Sequence, residues 1–263
     1  MIDVLVNGAA GRMGREVVAA VTAAEGMRVV AAVDPQLRSG APQAALLEGV
    51  PCFGDLSRAI EQTGPAVMVD FTHPTVVESN LRIALDAGVH CVVGTTGVSE
   101  SALVSLAAKA PAGVCLFMAP NFAIGAVLMM RFATVAARFM PHVEIIELHH
   151  DRKADAPSGT ALRTAALVAC ARAETPESPG EETEIVAGAR GGNVDDIRVH
   201  SVRLPGLVAH QEVIFGGQGQ TLTLRHDSID RTSFMPGVIL AIRGVVSRSG
   251  LIIGLENIVE ASA

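Results

Sequence analysis

Short apolar segments alternate with helical segments through the first half of the chain, and this alternation limits the fold more than any other feature. The segments DVLVN, MRVVAAV, AVMVD and HCVV consist mainly of valine, alanine and other apolar residues, and the stretches between them are long enough for helices. Strands that are apolar throughout lie in parallel sheets that helices cover on both faces. We therefore predict a doubly wound α/β domain over residues 1–122.

The pattern changes after residue 122. A long apolar helix is predicted at residues 124–139, followed by the strand VEIIELHH, a helix near residues 158–172 and the strand-like segments IRVHSVRL, VAHQEVIFGG and QTLTLRHDSI. This order is typical of an α+β domain with an open mixed sheet and helices on one face. We predict such a domain over residues 123–233, and expect the tail, residues 234–263, to return to the first domain.

Composition and charge exclude several classes of function. The formal net charge is -7, and no basic stripe runs along the chain, so we expect no nucleic-acid partner. Apolar segments end well before the ~18 residues of a membrane span, and the N-terminus lacks a signal peptide, so we expect a soluble cytoplasmic protein without a membrane partner. The four cysteines follow neither a zinc spacing nor a disulfide framework, so we expect no metal site.

A glycine loop, Gly8 to Gly14, follows the first predicted strand and opens a helix. Its glycines permit a tight turn and a close approach of the backbone, while the helix start attracts phosphate groups. Asp34 follows the second strand about twenty residues later, where an acidic residue accepts hydrogen bonds from the ribose hydroxyls of a dinucleotide. The spacing G-x-x-G-x-x-G differs from the commoner G-x-G-x-x-G, but its context indicates a Rossmann domain that binds a dinucleotide.

Other candidate ligand contacts follow the same set of strands. In a parallel sheet the carboxyl ends of the strands meet at one edge, and ligands bind beyond that edge. We therefore expect Gly8, Asp34, Phe71, Gly94 and Asn121 to lie near one another. The loop GTTG that begins at Gly94 is predicted to contact the nicotinamide side of the cofactor.

The segment ELHHDRKADAPSGTA, residues 147–161, carries the predicted chemistry. It brings two histidines, one of only two lysines in the chain, and a helix start into fifteen residues. Ser158, Gly159 and Thr160 offer two hydroxyls and backbone N–H groups at that helix start, an arrangement that binds a carboxylate. A lysine ammonium can donate the proton that completes a hydride reduction, whereas an arginine cannot.

These motifs, in the order GAAGRMG, DFTHP, GTTG, APNF and HHDRKADAPSGTA, resemble those of the 4-hydroxy-tetrahydrodipicolinate reductase (dihydrodipicolinate reductase) family over nearly the whole chain. The resemblance implies a homotetrameric enzyme of diaminopimelate and lysine biosynthesis. Such an enzyme reduces a cyclic unsaturated imine dicarboxylate with NADH or NADPH. It also implies that residues 1–122 bind the dinucleotide and that residues 123–233 bind substrate and form the oligomer.

The resemblance assigns roles to individual residues. It implies acid–base roles for His149 and Lys153 and substrate binding by His150, Gly159 and Thr160, to which the helix-start argument adds Ser158. The implied cofactor contacts are Gly8, Ala9, Ala10, Gly11, Arg12, Met13, Asp34, Gly94, Thr95, Thr96, Pro120, Asn121, Phe122 and Ala123. The position of Phe71 at the end of its strand adds that residue to the predicted cofactor contacts.

Pro35 departs from the family pattern, because some members carry there an arginine that binds the 2′-phosphate of NADP. We therefore expect NADH to be preferred and NADPH to be used less well, with Arg12 or Arg38 as the alternative phosphate ligand. Two other functions stay open at this stage. One is a related two-domain amino-acid or semialdehyde dehydrogenase, and the other is a non-catalytic regulator that senses NAD(H).

Overall fold

The apolar segments of the first half form parallel strands, as the sequence predicts. The structure, a computed structural model, describes residues 1–37, 47, 49–176, 180 and 183–259. The chain divides into two compact units. The first unit is Met1–Phe122 with Phe234–Ala263, and the second unit is Ala123–Ser233.

Strands and helices alternate in the N-terminal part of the first unit. The strands are β1 (Ile2–Asn7), β2 (Met27–Val33), β3 (Cys52–Phe53), β4 (Val67–Asp70), β5 (His90–Val93) and β6 (Cys115–Met118). The helices are α1 (Arg12–Ala23), α2 (Leu56–Thr63), α3 (Val77–Asp86) and α4 (Glu100–Lys109).

The second unit combines two helices with a mixed sheet. Its helices are α5 (Ile124–Ala137) and α6 (Gly159–Ala171), and its strands are β7 (His142–His149), β8 (Gly192–Val194), β9 (Ile197–Arg203), β10 (Ala209–Gly217) and β11 (Gln220–Ser228). In the part of the chain that the structure describes, these strands form a five-stranded sheet in the order β11-β10-β7-β9-β8. Strand β7 pairs parallel with β9, whereas the other pairs are antiparallel.

The tail returns to the first unit. It forms α7 (Met235–Val245), β12 (Gly250–Ile253) and α8 (Glu256–Val259). Strand β12 pairs parallel with β6 and becomes an edge of the first sheet. Over the described residues this sheet has seven strands in the order β12-β6-β5-β4-β1-β2-β3. The predicted combination of a doubly wound parallel sheet with a second mixed sheet is therefore confirmed.

The core of the first unit follows from the alternation of side chains along its strands. One set of strand residues packs against α2, α3 and α4, with Leu5, Met68 and Leu116 at most 1% exposed. Helices α1 and α7 contact each other and the strands. Because helices cover both faces, the central strands are apolar throughout.

The core of the second unit lies between one sheet face and the helices α5 and α6. Ile145, Val213 and Phe215 are fully buried there. The opposite sheet face carries Glu144, Ile146 and the strand residues beside them, which are only partly buried. Among the described residues of this unit, the helices that contact the sheet pack against its inner face.

The cysteines Cys52, Cys91, Cys115 and Cys170 are free thiols, of which Cys91 and Cys115 are buried and Cys170 is exposed. Within the described ranges no helix has both the length and the apolar composition needed to cross a membrane. The same ranges contain no cluster of three histidine, cysteine or acidic side chains suited to a metal ion.

Candidate active site

The first group of predicted residues lies at the carboxyl edge of the parallel sheet. Strand β1 is in register with β2 and β4 so that Asn7 pairs with Val33 and with Asp70. Asp70 in turn pairs with Val93 of β5, which pairs with Met118 of β6. The residues that follow these strand ends therefore share one edge, as the sequence predicts.

Two glycines of the loop are required by its geometry. Gly8 has a φ of +84°, and a Cβ there would lie 2.5 Å from the backbone oxygen of Phe71. A Cβ on Gly14 would lie 2.1 Å from the backbone oxygen of Gly8, so this glycine lets α1 pack directly on the loop. Both Gly8 and Ala9 donate their N–H groups to the carbonyl oxygen of Val33, which fixes the loop to β2.

The start of α1 fits the pyrophosphate of a dinucleotide. Its N-cap is Gly11, which makes no side-chain capping bond to the first N–H groups of the helix. Gly11 and Arg12 are exposed, and Met13 is half-buried. Asp34 lies beside the loop, since its Oδ2 accepts a hydrogen bond from the N–H of Ala10 at 3.2 Å. Uncapped N–H groups and a carboxylate at this spacing suit phosphate and ribose, respectively.

Sequence reasoning missed the buried carboxylate of Asp70, which organises this edge. Its side chain is fully buried. Its oxygens accept hydrogen bonds from Asn7 Nδ2 at 2.9 Å, Asn80 Nδ2 at 3.0 Å, Thr95 Oγ1 at 2.7 Å, and the N–H and hydroxyl of Thr72 at 3.1 and 2.8 Å. Five donors explain how a carboxylate can be buried here. The network ties the end of β4 to the ends of β1 and β5.

Several predicted cofactor residues are buried. Thr95 uses its hydroxyl inside the unit, because it donates to Asp70 and accepts from the N–H of Thr72 at 2.7 Å. The Phe122 ring is 3% exposed and packs at 5.7 Å from the Phe71 ring, centroid to centroid. Ala123, the N-cap of α5, is also buried and falls in the second unit. The Thr95 side chain is therefore buried, and the predicted contact of Thr95 with the cofactor stays a prediction.

The remaining cofactor candidates keep access to solvent. Thr96 and Pro120 are exposed, and Asn121 is half-buried. A Cβ on Gly94 would lie 2.1 Å from the Phe71 ring, so only glycine allows this ring to cover the backbone at the end of β5.

The second group of predicted residues begins at the end of β7. His149 is the last residue of that strand, and its Nδ1 lies 2.5 Å from Oε2 of Glu147. Glu147 is fully buried. Burial lowers the pKa of His149, the bond to Glu147 opposes this effect, and the charges of Lys153 and Arg203 lower the pKa further. The net result is a pKa below the ordinary value, which favours the neutral imidazole.

Arg203, the last residue of β9, holds the predicted segment in place. Its guanidinium donates to both oxygens of Glu147, at 2.9 and 2.8 Å. It also donates to the backbone oxygens of Lys153 at 3.3 Å and Asp155 at 2.7 Å. One side chain thus joins the buried carboxylate to the loop that follows β7. Burial raises the pKa of Glu147, but hydrogen bonds from Arg203, Ser201 and His149 lower it more, so the carboxylate is charged.

Lys153 lies one turn beyond His150 in this loop, and its N–H donates to the carbonyl oxygen of His150. Its Nζ donates to both carboxylate oxygens of Asp155 at 2.8 Å. The lysine side chain is 21% exposed and that of Asp155 is 67% exposed. His150 is exposed, because the strand ends at His149 and the chain turns there.

Ser158 is the N-cap of α6, and its hydroxyl accepts a hydrogen bond from the N–H of Ala161. Its own N–H donates to Glu147 Oε1 at 3.2 Å, and the residue is 3% exposed. These bonds show that Ser158 caps α6, a role that is compatible with substrate binding at the same helix start, so its contact with substrate stays a prediction. The exposed Gly159 and the half-buried Thr160 follow it in the first turn.

Glu147 and Arg203 were not singled out from the sequence. The two residues are far apart along the chain, and the parallel pairing of β7 and β9 brings His149 opposite Arg203. The available signal was a glutamate two residues before the HHDRKADAPSGTA segment, at a position that shares a strand face with the apolar Ile145. A charged residue on the buried face of a strand requires a partner of opposite charge.

One unit is of Rossmann type with a glycine loop, and the other holds a histidine on a buried carboxylate with a lysine in the loop that follows. This combination defines a two-unit nicotinamide-dependent oxidoreductase. Comparison with known proteins agrees with this class. Residues 2–122 match the family model described as dihydrodipicolinate reductase, N-terminus, and residues 125–259 match that of the C-terminus. The chain therefore belongs to the dihydrodipicolinate reductase family.

Individual relatives are similar over almost their whole length. The 4-hydroxy-tetrahydrodipicolinate reductases of Syntrophomonas wolfei and Nocardia farcinica are 49% and 51% identical to this chain, and the alignments cover 97% and 98% of it and 97% and 99% of the relatives. A solved dipicolinate-bound dihydrodipicolinate reductase from Paenisporosarcina sp. TG-14 is 44% identical, covers 98% of this chain and 99% of its own, and has a TM-score of 0.85. The amine dehydrogenase of Mycobacterium smegmatis shares the fold at 18% identity, with a TM-score of 0.67 and coverage of 97% and 95%.

Proposed function

We propose that the chain catalyses the nicotinamide-dependent reduction of 4-hydroxy-tetrahydrodipicolinate to tetrahydrodipicolinate, in the biosynthesis of diaminopimelate and lysine. The observation that carries this proposal is the folded HHDRKADAPSGTA segment. It places His149 on a buried carboxylate, Lys153 on the following turn and Gly159 at a helix start. Family membership supports the same reaction.

The bound nicotinamide dinucleotide would supply the hydride. Its pyrophosphate would bind at the start of α1, and its adenosine ribose would bind Asp34. The Asp70 network fixes the Gly94–Thr96 loop for contact through its backbone and Thr96. Phe71, which covers Gly94, and Asn121 lie at the same edge.

The chain's own acid–base groups would complete the reduction. Hydride addition to a conjugated C=C–C=N system leaves electron density at its far end, which needs a proton. Lys153 and His149 are the proposed acid–base pair. The Asp155 carboxylate holds the Lys153 ammonium, and the Glu147 carboxylate holds the His149 ring.

The substrate is a small dicarboxylate, so its binding requires local positive groups on an acidic chain. We assign one carboxylate to the start of α6, where Gly159 and Thr160 follow the cap residue, and we assign His150 to substrate binding as well. The relative from Paenisporosarcina binds dipicolinate, a planar dicarboxylate, which supports this ligand class.

A preference for NADH over NADPH follows from the residues after β2. Asp34 is fixed by hydrogen bonds from Ala10 and Gln36, and Pro35 offers neither charge nor N–H to a 2′-phosphate. Arg12 is exposed at the start of α1, while Arg38 lies outside the described residues. We therefore propose that NADPH is used but less efficiently.

We further propose a cytoplasmic homotetramer that assembles through the second unit. The outer face of its sheet carries a row of partly buried apolar residues, and the described helices of this unit pack on the inner face. The apolar residues of this outer face are Ile146, Leu148, Val202 and Ile214. A sheet face of this kind suits contact with a second copy of the chain.

A coupled assay tests the reaction. Aspartate semialdehyde, pyruvate and the upstream synthase generate the substrate, and oxidation of NADH is followed at 340 nm after addition of the chain. We expect turnover that depends on all components and is inhibited by dipicolinate. NADH binding without turnover would instead support a non-catalytic NAD(H) sensor, and oxidation that needs only an amino acid or a semialdehyde would support the related dehydrogenase.

A further inference from the structure

The buried carboxylate of Glu147 contacts the predicted catalytic segment at two points and also binds Arg203. Its Oε2 contacts His149 Nδ1, its Oε1 accepts from the N–H of Ser158, and both oxygens accept from Arg203. The carboxylate is fully buried, and the Arg203 side chain is 19% exposed. Such a buried charge persists only when it has well-placed partners.

The direction of the bond between Glu147 and His149 follows from these partners. A guanidinium can only donate hydrogen bonds, and it donates to both carboxylate oxygens, so Glu147 is ionised and can only accept. The hydrogen in the 2.5 Å contact therefore belongs to Nδ1 of His149. A neutral imidazole with its hydrogen on Nδ1 has its lone pair on Nε2.

We propose that Glu147 and Arg203 are positioning residues that fix the Nδ1–H tautomer of His149, so that Nε2 is the nitrogen that exchanges a proton during turnover. Arg203 has a second role in this arrangement, because its bonds to the backbone of Lys153 and Asp155 hold the lysine loop relative to the same carboxylate. The part that concerns turnover rests on the proposed function, whereas the tautomer does not.

The chain contains a matched control on the same strand. Glu144 of β7 also pairs with a histidine and an arginine, since its Oε2 lies 2.8 Å from Nε2 of His200 and its Oε1 lies 2.6 Å from a guanidinium nitrogen of Arg190. It projects to the opposite face of the sheet, because it is three residues from Glu147 on one strand. Glu144→Gln thus removes a similar charge without touching His149.

The tautomer can be read directly by NMR. In the ¹⁵N-labelled protein, at a pH above the titration of His149, long-range ¹H–¹⁵N spectra distinguish a protonated Nδ1 from a protonated Nε2. The His149 signals are identified by their absence from His149→Gln. We expect the Nδ1–H tautomer in the parent protein and in Glu144→Gln. A parent protein with the Nε2–H tautomer overturns the proposal, and this measurement does not depend on how any variant at Glu147 folds.

Kinetics then test the consequence for turnover. In Glu147→Gln the amide can donate to Nδ1 and favour the Nε2–H tautomer, so kcat should fall by ~10²-fold or more while KM changes by less than about threefold. Glu144→Gln should keep both values within about threefold. A folded Glu147→Gln protein that keeps the Nδ1–H tautomer and a kcat near that of the parent contradicts the proposal. The expected tautomer in a chain without reductase activity would contradict the proposed function alone.

Discussion

Lys153 is a lysine in a chain whose positively charged residues are mostly arginines. The chain contains two lysines, Lys109 and Lys153, and its other basic residues besides histidine are arginines. Lys109 lies exposed at the end of α4, whereas Lys153 is mostly buried and bonded to Asp155. An ammonium can lose its proton within the range that enzymes use, and a guanidinium cannot, so the proposed proton donation would account for a lysine at this position.

Lys153→Ala should therefore lower kcat by ~10²–10⁴-fold, the usual cost of losing a general acid. Steady-state kinetics in the coupled assay measure this loss. Lys109→Ala is the matched control and should leave kcat unchanged. If Lys153→Ala keeps kcat within about threefold of the parent, Lys153 has no acid role.

The proposed cofactor preference also rests on single residues. The ratio of kcat/KM for NADH to that for NADPH should be about 3 to 100, which corresponds to ~0.7–2.7 kcal/mol of differential binding in the transition state. Solvent screens the repulsion between Asp34 and a 2′-phosphate, so exclusion is not expected. Better use of NADPH would mean that Arg12 or Arg38 binds the phosphate and that the role given to Pro35 is wrong.

At the scale of elements, α1 and α6 use glycine in their first turns for different reasons. Gly14 of α1 faces the backbone of Gly8, where a Cβ would overlap with the carbonyl oxygen. A Cβ on Gly159 of α6 would meet no atom within 4 Å. The first glycine is therefore required by packing within the unit, and the second leaves room for a ligand.

Gly14→Ala should destabilise the protein by about 2 kcal/mol or more, because overpacking against backbone outweighs the higher helix propensity of alanine. Gly159→Ala should keep the parent's stability and raise KM for the dicarboxylate. Urea unfolding and steady-state kinetics on both variants separate these effects. Equal loss of stability in the two variants would contradict the assignment.

The elements differ in how well the sequence predicts them. The strands β1, β2, β4 and β5 are buried on both faces, so nearly all of their residues are apolar and the sequence predicts them directly. Strand β3 and helix α2 were not predicted. A strand of two residues is too short to show the alternation of apolar and polar residues. Asp55 as N-cap and Gly64 as a left-handed C-cap were the local signals for α2.

The site could be predicted only where its chemistry is local in the sequence. The 147–161 segment contains both proposed acid–base residues, and its resemblance to the family motif, together with the ability of a lysine to donate a proton, pointed to them. Arg203 binds Glu147, and Asp70 binds Asn7 and Thr95 besides the neighbouring Thr72. Tertiary structure brings these distant partners near, so the sequence around Arg203 and Asp70 does not show them. The hydroxyl of Ser158 caps α6, a local role that is typical of a serine directly before a helix.

At the scale of the whole molecule, three partly buried histidines make stability depend on pH. Burial is the first cause that lowers the pKa of His90, His149 and His226. The unfolded chain, with histidine pKa values near ~6.5, therefore takes up protons before the folded chain as pH falls. The free energy of unfolding that the neutral histidines contribute is fully present above the pKa of histidine in the unfolded chain. It is lost as the pH falls toward the lower pKa values of the folded protein.

Urea unfolding at about pH 7.5 and about pH 5.5 should accordingly show lower stability at the acidic pH. His90 accepts a hydrogen bond from the N–H of Cys115 at 3.1 Å, which requires a neutral ring nitrogen. His90→Gln should make this pH dependence shallower, while His73→Gln, at an exposed position, serves as the control. An unchanged slope in His90→Gln would show that His90 does not contribute to it.

The proposed tetramer is tested on the outer face of the second sheet. Sedimentation should give about four times the chain mass of 27.2 kDa. Ile214→Glu places a charge among the partly buried apolar residues of that face and should shift the mass toward smaller species, because burying an unpaired charge is unfavourable. A monomeric parent protein would remove the tetramer proposal without affecting the reaction.

Because the tail returns to the first unit, the second unit is synthesised before the first unit is complete. Residues 123–233 leave the ribosome as a continuous stretch, so the second unit can fold while the first sheet still lacks its last strand. Until residues 250–253 emerge, β6 is an open edge that can pair with any extended segment nearby. The first sheet is therefore completed only after the whole second unit has been synthesised.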